Sequence, residues 1–187
     1  SAQLHLKDYR QVHGAFDRIV SVGMFEHVGV PHYGEYFRTV RDRLTEDGVA
    51  LIHSIGRTDP PGYTSPWIQK YIFPGGYCPA LSEMSKAVEK SGLYGCDLEV
   101  WRLHYARTLL AWRKRFEANS DKLREMYDDR FLAMFRYYFA ICIAAFEHQA
   151  QAVYQFQLAR KRDSVPLTRD YLYRDPSRLP AQRATTS

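Results

Sequence analysis

The chain has 187 residues, 45% apolar and 25% charged, enough to bury one core and to place it among globular domains. Its three cysteines, Cys78, Cys96 and Cys142, stand far apart with no Cys-x-x-Cys pair, which argues against a disulfide framework or a cysteine zinc site and fits a reducing compartment. A formal charge of +5 and an aromatic fraction of 14% suit an anionic partner, either nucleic acid or an acidic membrane face, without choosing between them.

In chain order, Ser1–Leu6 has no basic stretch leading into an apolar one, so nothing reads as a secretory leader, and the chain is expected to begin within a domain. Residues 17–24 are a β-branched run ending in glycine, and 48–56 repeat the pattern; both are predicted strands. Between them Tyr33, Tyr36, Phe37, Val40 and Leu44 recur at helical spacing, with Asp47-Gly48 as the expected stop. A strand–helix–strand unit predicts a parallel sheet flanked by helices, with ligands at the carboxyl ends of the strands. Residues 57–66 read as a loop, Trp67–Phe73 as a short aromatic segment, and Pro74-Gly75-Gly76 as a turn.

Further on, Ala80–Ser91 is a predicted helix closed by Gly92, and Cys96–Leu103 a predicted strand. Helices over about 104–118 and 128–150 form an expected insertion before a last strand, Ala152–Leu158. The stretch Phe131–Phe146 is apolar, is interrupted by Arg136 and falls short of the roughly 20 residues that cross a bilayer; it is read as a buried helix. Residues 1–162 are thus the predicted domain, and the polar, proline-containing 163–187 are expected to fray. The domain has no Gly-x-Gly-x-x-Gly turn of the kind that opens a doubly wound cofactor fold.

Two groups could carry chemistry: Glu26, just after the first strand, and His53, near the end of the next. A carboxylate and an imidazole at adjacent strand ends shift each other's protonation and suit proton handling. Taken alone, the pair favours the plainer reading, a satisfied core histidine and a carboxylate that caps the next helix. A metal centre is not expected, since there is no His-Glu-x-x-His and no close histidine pair at ligand spacing. No RNA-binding signature supports a nucleic-acid partner either.

Several longer runs change the balance. Phe16–Gly29, Leu51–Gly56, Trp67–Gly76 with its Lys70-Tyr71-Ile72-Phe73-Pro74-Gly75-Gly76 ending, His104–Trp112, and Phe131-x-x-Met134-Phe135-x-Tyr137-Tyr138 occur in order. Together they resemble the cyclopropane-fatty-acyl-phospholipid synthase family, over about residues 8–162.

The resemblance implies an α/β class I methyltransferase, Rossmann-like fold whose amino-terminal strands and glycine-rich loop are missing here, with the helical insertion before the last strand. It implies S-adenosylmethionine as cofactor and bicarbonate as base. Residue by residue, Glu26, His53, Tyr105 and the backbone of Ile55 match the bicarbonate site, with Glu26, His53 and Tyr105 catalytic; Tyr9 and Val22 match positions along the adenosyl part of the cofactor. The family's further cysteine in that site has no counterpart here and is expected to precede Ser1.

The implied reaction adds a methylene across a cis double bond. The double bond takes the sulfonium methyl, and a base then removes a proton from that methyl as the ring closes. The implied partner is an unsaturated phospholipid in a membrane surface, reached from the cytoplasm at the inner face; a homodimer is left open. Two other readings stand beside this one: a truncated, inactive fragment or lipid-binding remnant, and a related mycolic-acid or branched-chain fatty-acid methyltransferase.

Overall fold

The computed structural model describes residues 2–173. Ten main elements follow in order: β1 Phe16–Val22, α1 Tyr33–Arg43, β2 Leu44–Arg57, α2 Pro66–Tyr71, α3 Leu81–Glu89, β3 Tyr94–Trp101, α4 His104–Ala118, α5 Ser120–Arg124, α6 Asp129–His148 and β4 Gln151–Ala159. They build one four-stranded sheet in the order β1-β2-β4-β3. β1 and β2 are parallel, as the strand–helix–strand unit predicts, but β4 runs antiparallel to both of its neighbours, so the sheet is mixed. The helical insertion falls between β3 and β4, where the sequence places it.

Period-2 alternation in β2 sorts its side chains between two layers. Ala50 and Ile52 join a core with Phe25, Tyr33, Tyr36 and Phe37, closed by Met84 and Val88 of α3 and by Tyr154, Phe156 and Leu158 of β4. Ile55 turns to the other layer and packs with Val153 against Ala106 and Leu109 of α4 and Tyr138, Phe139, Ile143 and Phe146 of α6. Gly56 is fixed by close approach: a Cβ there would stand 2.6 Å from the Tyr154 ring and 2.7 Å from the Pro79 carbonyl oxygen.

Three expectations change. The helix does not run to Asp47-Gly48: α1 ends at Arg43 and Leu44 opens β2 in extended conformation, its side chain buried either way. The residues Asp47-Gly48 instead fall where the β1–β2 register slips, between the Phe16↔Leu44 and Arg18↔Val49 pairs. Helix α6 is not a buried helix: only a stripe through Leu132, Tyr138, Phe139, Ile143 and Phe146 is covered, 28% of its most apolar window. It is long and apolar enough to cross a membrane by length and composition alone.

The described part of the expected tail, 163–173, is mostly exposed but is tied to the sheet at several points. Val165 is buried, Arg169 pairs with Asp97 at 2.7 Å and Glu99 at 2.9 Å on β3, and the Tyr171 hydroxyl donates to Gln157 Oε1 at 2.6 Å. The rest of that expectation, 174–187, lies outside the described residues.

Candidate active site

The site is assembled where β1 and β2 end. Gly23 takes φ 66°, the left-handed region open to glycine, and its N–H donates to the His53 carbonyl at 3.1 Å. That bond ties the two strand ends together and turns the chain into a short 3-10 helix, Phe25–His27. Glu26 is thereby folded inward and buried. Its Oε1 accepts from the Ile55 backbone N–H at 2.7 Å, while Oε2 is buried with no partner among the described residues. A second tether holds its main chain, the Tyr77 N–H donating to the Glu26 carbonyl at 2.9 Å.

A buried carboxylate oxygen without a donor is costly, since burial removes water and nothing replaces it. A hydrogen-bond donor brought to Oε2 would satisfy it. The Ile55 N–H donates to Glu26 and helps to fix the carboxylate.

His53 stands opposite Gln155 in the β2–β4 register, and its Nδ1 lies 3.0 Å from Gln155 Nε2. In the tautomer that lets Nδ1 accept from this amide, the ring proton sits on Nε2. Burial pushes the imidazole below its usual range, opposed by the Glu26 charge, which keeps the ring neutral at neutral pH. Gln155 was not singled out from sequence. A signal existed, since Gln155 and Gln157 alternate with Tyr154, Phe156 and Leu158 on the side of β4 that carries the site.

Tyr105 enters from the first turn of α4, packed against Phe146 at 5.2 Å and edge-on to Trp112 at 5.8 Å. Burial raises its phenol, and the Glu26 charge raises it further. The phenol is therefore protonated and able to donate. The Glu26 charge thus favours the protonated form of both His53 and Tyr105.

Ile55 and Tyr105 line a cavity of about 550 Å³ whose walls include Ile68 and Phe73 below and Leu109, Tyr138, Ile141 and Phe146 from α4 and α6. Cys78 and Cys142 also line it; burial lifts their thiols to about 11 and about 12, so both are protonated. No cluster of three or more metal-ligating side chains occurs among the described residues.

Tyr9 and Val22 do not join this group. They line a separate cleft of about 460 Å³ along β1, with Ile19, Val20, Met24 and Tyr36. Tyr9 stands edge-on to Tyr36 at 5.5 Å. The cleft offers aromatic and apolar walls that fit the flat, weakly polar adenosyl end of a cofactor, and no glycine-rich turn for its charged end occurs in the sequence.

A mixed sheet with helices on both faces, ligand groups at its carboxyl edge and a helical insertion before the last strand define a class I methyltransferase-like domain. A family model described as mycolic acid cyclopropane synthetase matches residues 1–156. The chain belongs to this family. It is 39% identical over 158 residues to the cyclopropane-fatty-acyl-phospholipid synthase of Escherichia coli K12, covering 83% of this chain and 40% of that protein. The solved cyclopropane synthase MmaA2 from Mycobacterium tuberculosis superposes with a TM-score of 0.77 at 27% identity, covering 83% of this chain and 59% of that one. The mycolic acid cyclopropane synthase CmaA1, solved with SAH and CTAB, gives 0.75 at 27% identity, over 82% of this chain and 59% of that one. The chain therefore spans about 40% of the length of its E. coli relative.

Proposed function

We propose that the chain is a catalytic part of a cyclopropane-fatty-acyl-phospholipid synthase, which adds a methylene from S-adenosylmethionine to a cis double bond of an unsaturated phospholipid acyl chain. The observation that carries this reading is the Glu26 carboxylate, buried with one oxygen on the amide of Ile55, a residue that lines the cavity, and the other without a partner among the described residues.

The residues fit a small oxyanion with a hydroxyl. Bicarbonate would take hydrogen bonds from His53 Nε2–H and the Tyr105 phenol and give its own to Glu26 Oε2, which removes the orphaned acceptor. Bound there, it supplies a base in a site from which water is excluded. S-adenosylmethionine would supply the methyl, its adenosyl part against Tyr9 and Val22 in the β1 cleft. The cavity, with Ile68, Leu109, Ile141 and Phe146, receives the acyl chain and keeps water from the reacting carbon. The enzyme would work from the cytoplasm, peripheral at the inner face of the membrane.

A second product has support in the relatives. A probable fatty acid methyltransferase of Pseudomonas putida is 36% identical over 185 residues, close to the identity with the E. coli protein. A methyl branch instead of a ring is thus the competing outcome, and an inactive lipid-binding remnant the third.

The experiment incubates the chain, alone and joined to a family amino-terminal half, with methyl-labelled S-adenosylmethionine and vesicles of cis-unsaturated phospholipid. Acyl chains heavier by one methylene, with the double bond consumed, are expected from the joined form. A chain of the same added mass that keeps a carbon–carbon double bond beside the new branch selects the second reading. Cofactor binding by calorimetry without any transfer selects the remnant.

A further inference from the structure

Helix α6 carries more apolar surface than the sheet covers. Beyond the buried stripe, Phe135 and Cys142 are partly covered, and Tyr137 is the large aromatic side chain of the helix that stands exposed. A helix apolar on most sides needs a second apolar surround beyond its core stripe. Arg130 in its first turn suits a place in the plane of a lipid surface, not across it, whereas Arg136 is held by Glu117 at 2.8 Å.

The uncovered part has a definite composition. α2 and the amino-terminal half of α6 enclose a groove of about 470 Å³ walled by Trp67, Tyr71, Phe131, Met134 and Tyr137. Trp67 meets Tyr137 edge-on at 4.6 Å and Tyr71 at 5.5 Å. Tyr71 and Tyr137 are 39% and 51% exposed. Two cations rim the groove: the Lys70 ammonium lies 5.1 Å over the Tyr71 ring, and Arg130 is on the groove wall. Neither has an ion-pair partner among the described residues. The carboxylate on the wall, Asp128, accepts from the Phe131 N–H as the α6 N-cap.

Tryptophan and tyrosine rings beside unpaired cations are the composition of an interfacial anchor, with rings at headgroup depth and cations on lipid phosphate. The groove and the reaction cavity share Tyr137 as a wall. On α2, Trp67 faces the groove while its neighbour Ile68 faces the cavity.

From this we infer that α2 and the amino-terminal half of α6 form the membrane-docking face, seated in the headgroup layer of an anionic phospholipid bilayer, with an acyl chain entering the cavity past Tyr137. The entry of the acyl chain rests on the function proposed above; the docking itself does not.

The test is binding to phosphatidylcholine vesicles with and without phosphatidylglycerol, with Trp101→Phe and Trp112→Phe leaving Trp67 as the single reporter. Tighter binding to the anionic vesicles is expected, weakened by salt, with Trp67 emission quenched by brominated acyl chains. Lys70→Gln and Arg130→Gln should each weaken binding about five-fold. Tyr71→Ser with Tyr137→Ser should weaken it at least about ten-fold. These positions are exposed, so far-UV circular dichroism and the melting temperature should match the parent.

Equal binding to both vesicle types, an unquenched Trp67, or unchanged binding in the glutamine variants overturns the assignment. Concentration-dependent dimerisation that shields Trp67 would give the face to a second copy and overturns it too. Docking without methylene transfer keeps the face and removes the proposed activity; transfer indifferent to all four substitutions does the reverse.

Discussion

On one face of the sheet, Ala50 and Ile52 of β2 meet α1 and α3, and no buried member of that core is more than 6% exposed. On the other, Ile55 and Arg57 of the same strand line a cavity of about 550 Å³ that α4 and α6 bound without filling. Neighbouring residues of a single strand thus serve different ends. The alternation that closes one layer also presents His53 and Ile55, two residues apart, to the layer left open. Stability is concentrated where shape is filled, and chemistry where it is not.

Breaking the open side at its charge should give the largest effect. Glu26→Gln keeps an acceptor for the Ile55 amide but loses the negative charge, so methylene transfer in the joined enzyme should fall at least about 100-fold. The melting temperature should change little; a parallel loss of fold and activity would remove the distinction between the faces. On the closed side, Phe37→Ala opens a hole in the aromatic core and should cost about 3–5 kcal/mol in urea denaturation.

Filling the open side sharpens the contrast. Ala145 lines the cavity, so Ala145→Phe has room to enter and should leave stability within about 1.5 kcal/mol while blocking long acyl substrates. A large stability loss would mean that the cavity is less open than its walls indicate. Acid provides a finer probe. Because burial lowers the His53 pKa, the unfolded chain binds that proton more readily than the native one. Stability from neutral His53 is therefore complete above the ordinary histidine range, near 6.5, and is lost as pH falls below it. Thermal melts of the parent and His53→Gln, taken downward from pH 8, should diverge in slope there. The smallest change is Asp128→Ala, which removes the α6 N-cap and should cost about 1 kcal/mol by denaturant titration.

Sequence patterns carried the strand assignments well, because β2 and β4 alternate cleanly and one face of each is buried. The end of α1 was hidden, since Leu44 follows Val40 at helical spacing yet is buried equally well as the first residue of a strand. The open face of α6 was hidden too, because an all-round apolar helix does not say which side has company. In 163–173, polar composition suggested fraying, while the partners that hold Arg169, Asp97 and Glu99, lie far back in the chain. Of the site, strand-end position alone indicates Glu26 and His53; Tyr105 rested on family resemblance. The Glu26–Ile55 bond and the Gln155 contact depend on register, which composition does not encode.

The place of β4 has a consequence for how the molecule forms. Among the described strands this one is made last, and it lies between β2 and β3, pairing Val49 with Ala159 and Tyr94 with that same residue. Until it arrives, β3 has no neighbour in the sheet, and the β1–β2 pair exposes a bare edge. Helices α4 and α6 can form early from local contacts, but they have no finished surface to lie on. Folding must therefore wait on a distant segment, a topology that slows the search and leaves an unsatisfied sheet edge exposed to other chains during synthesis.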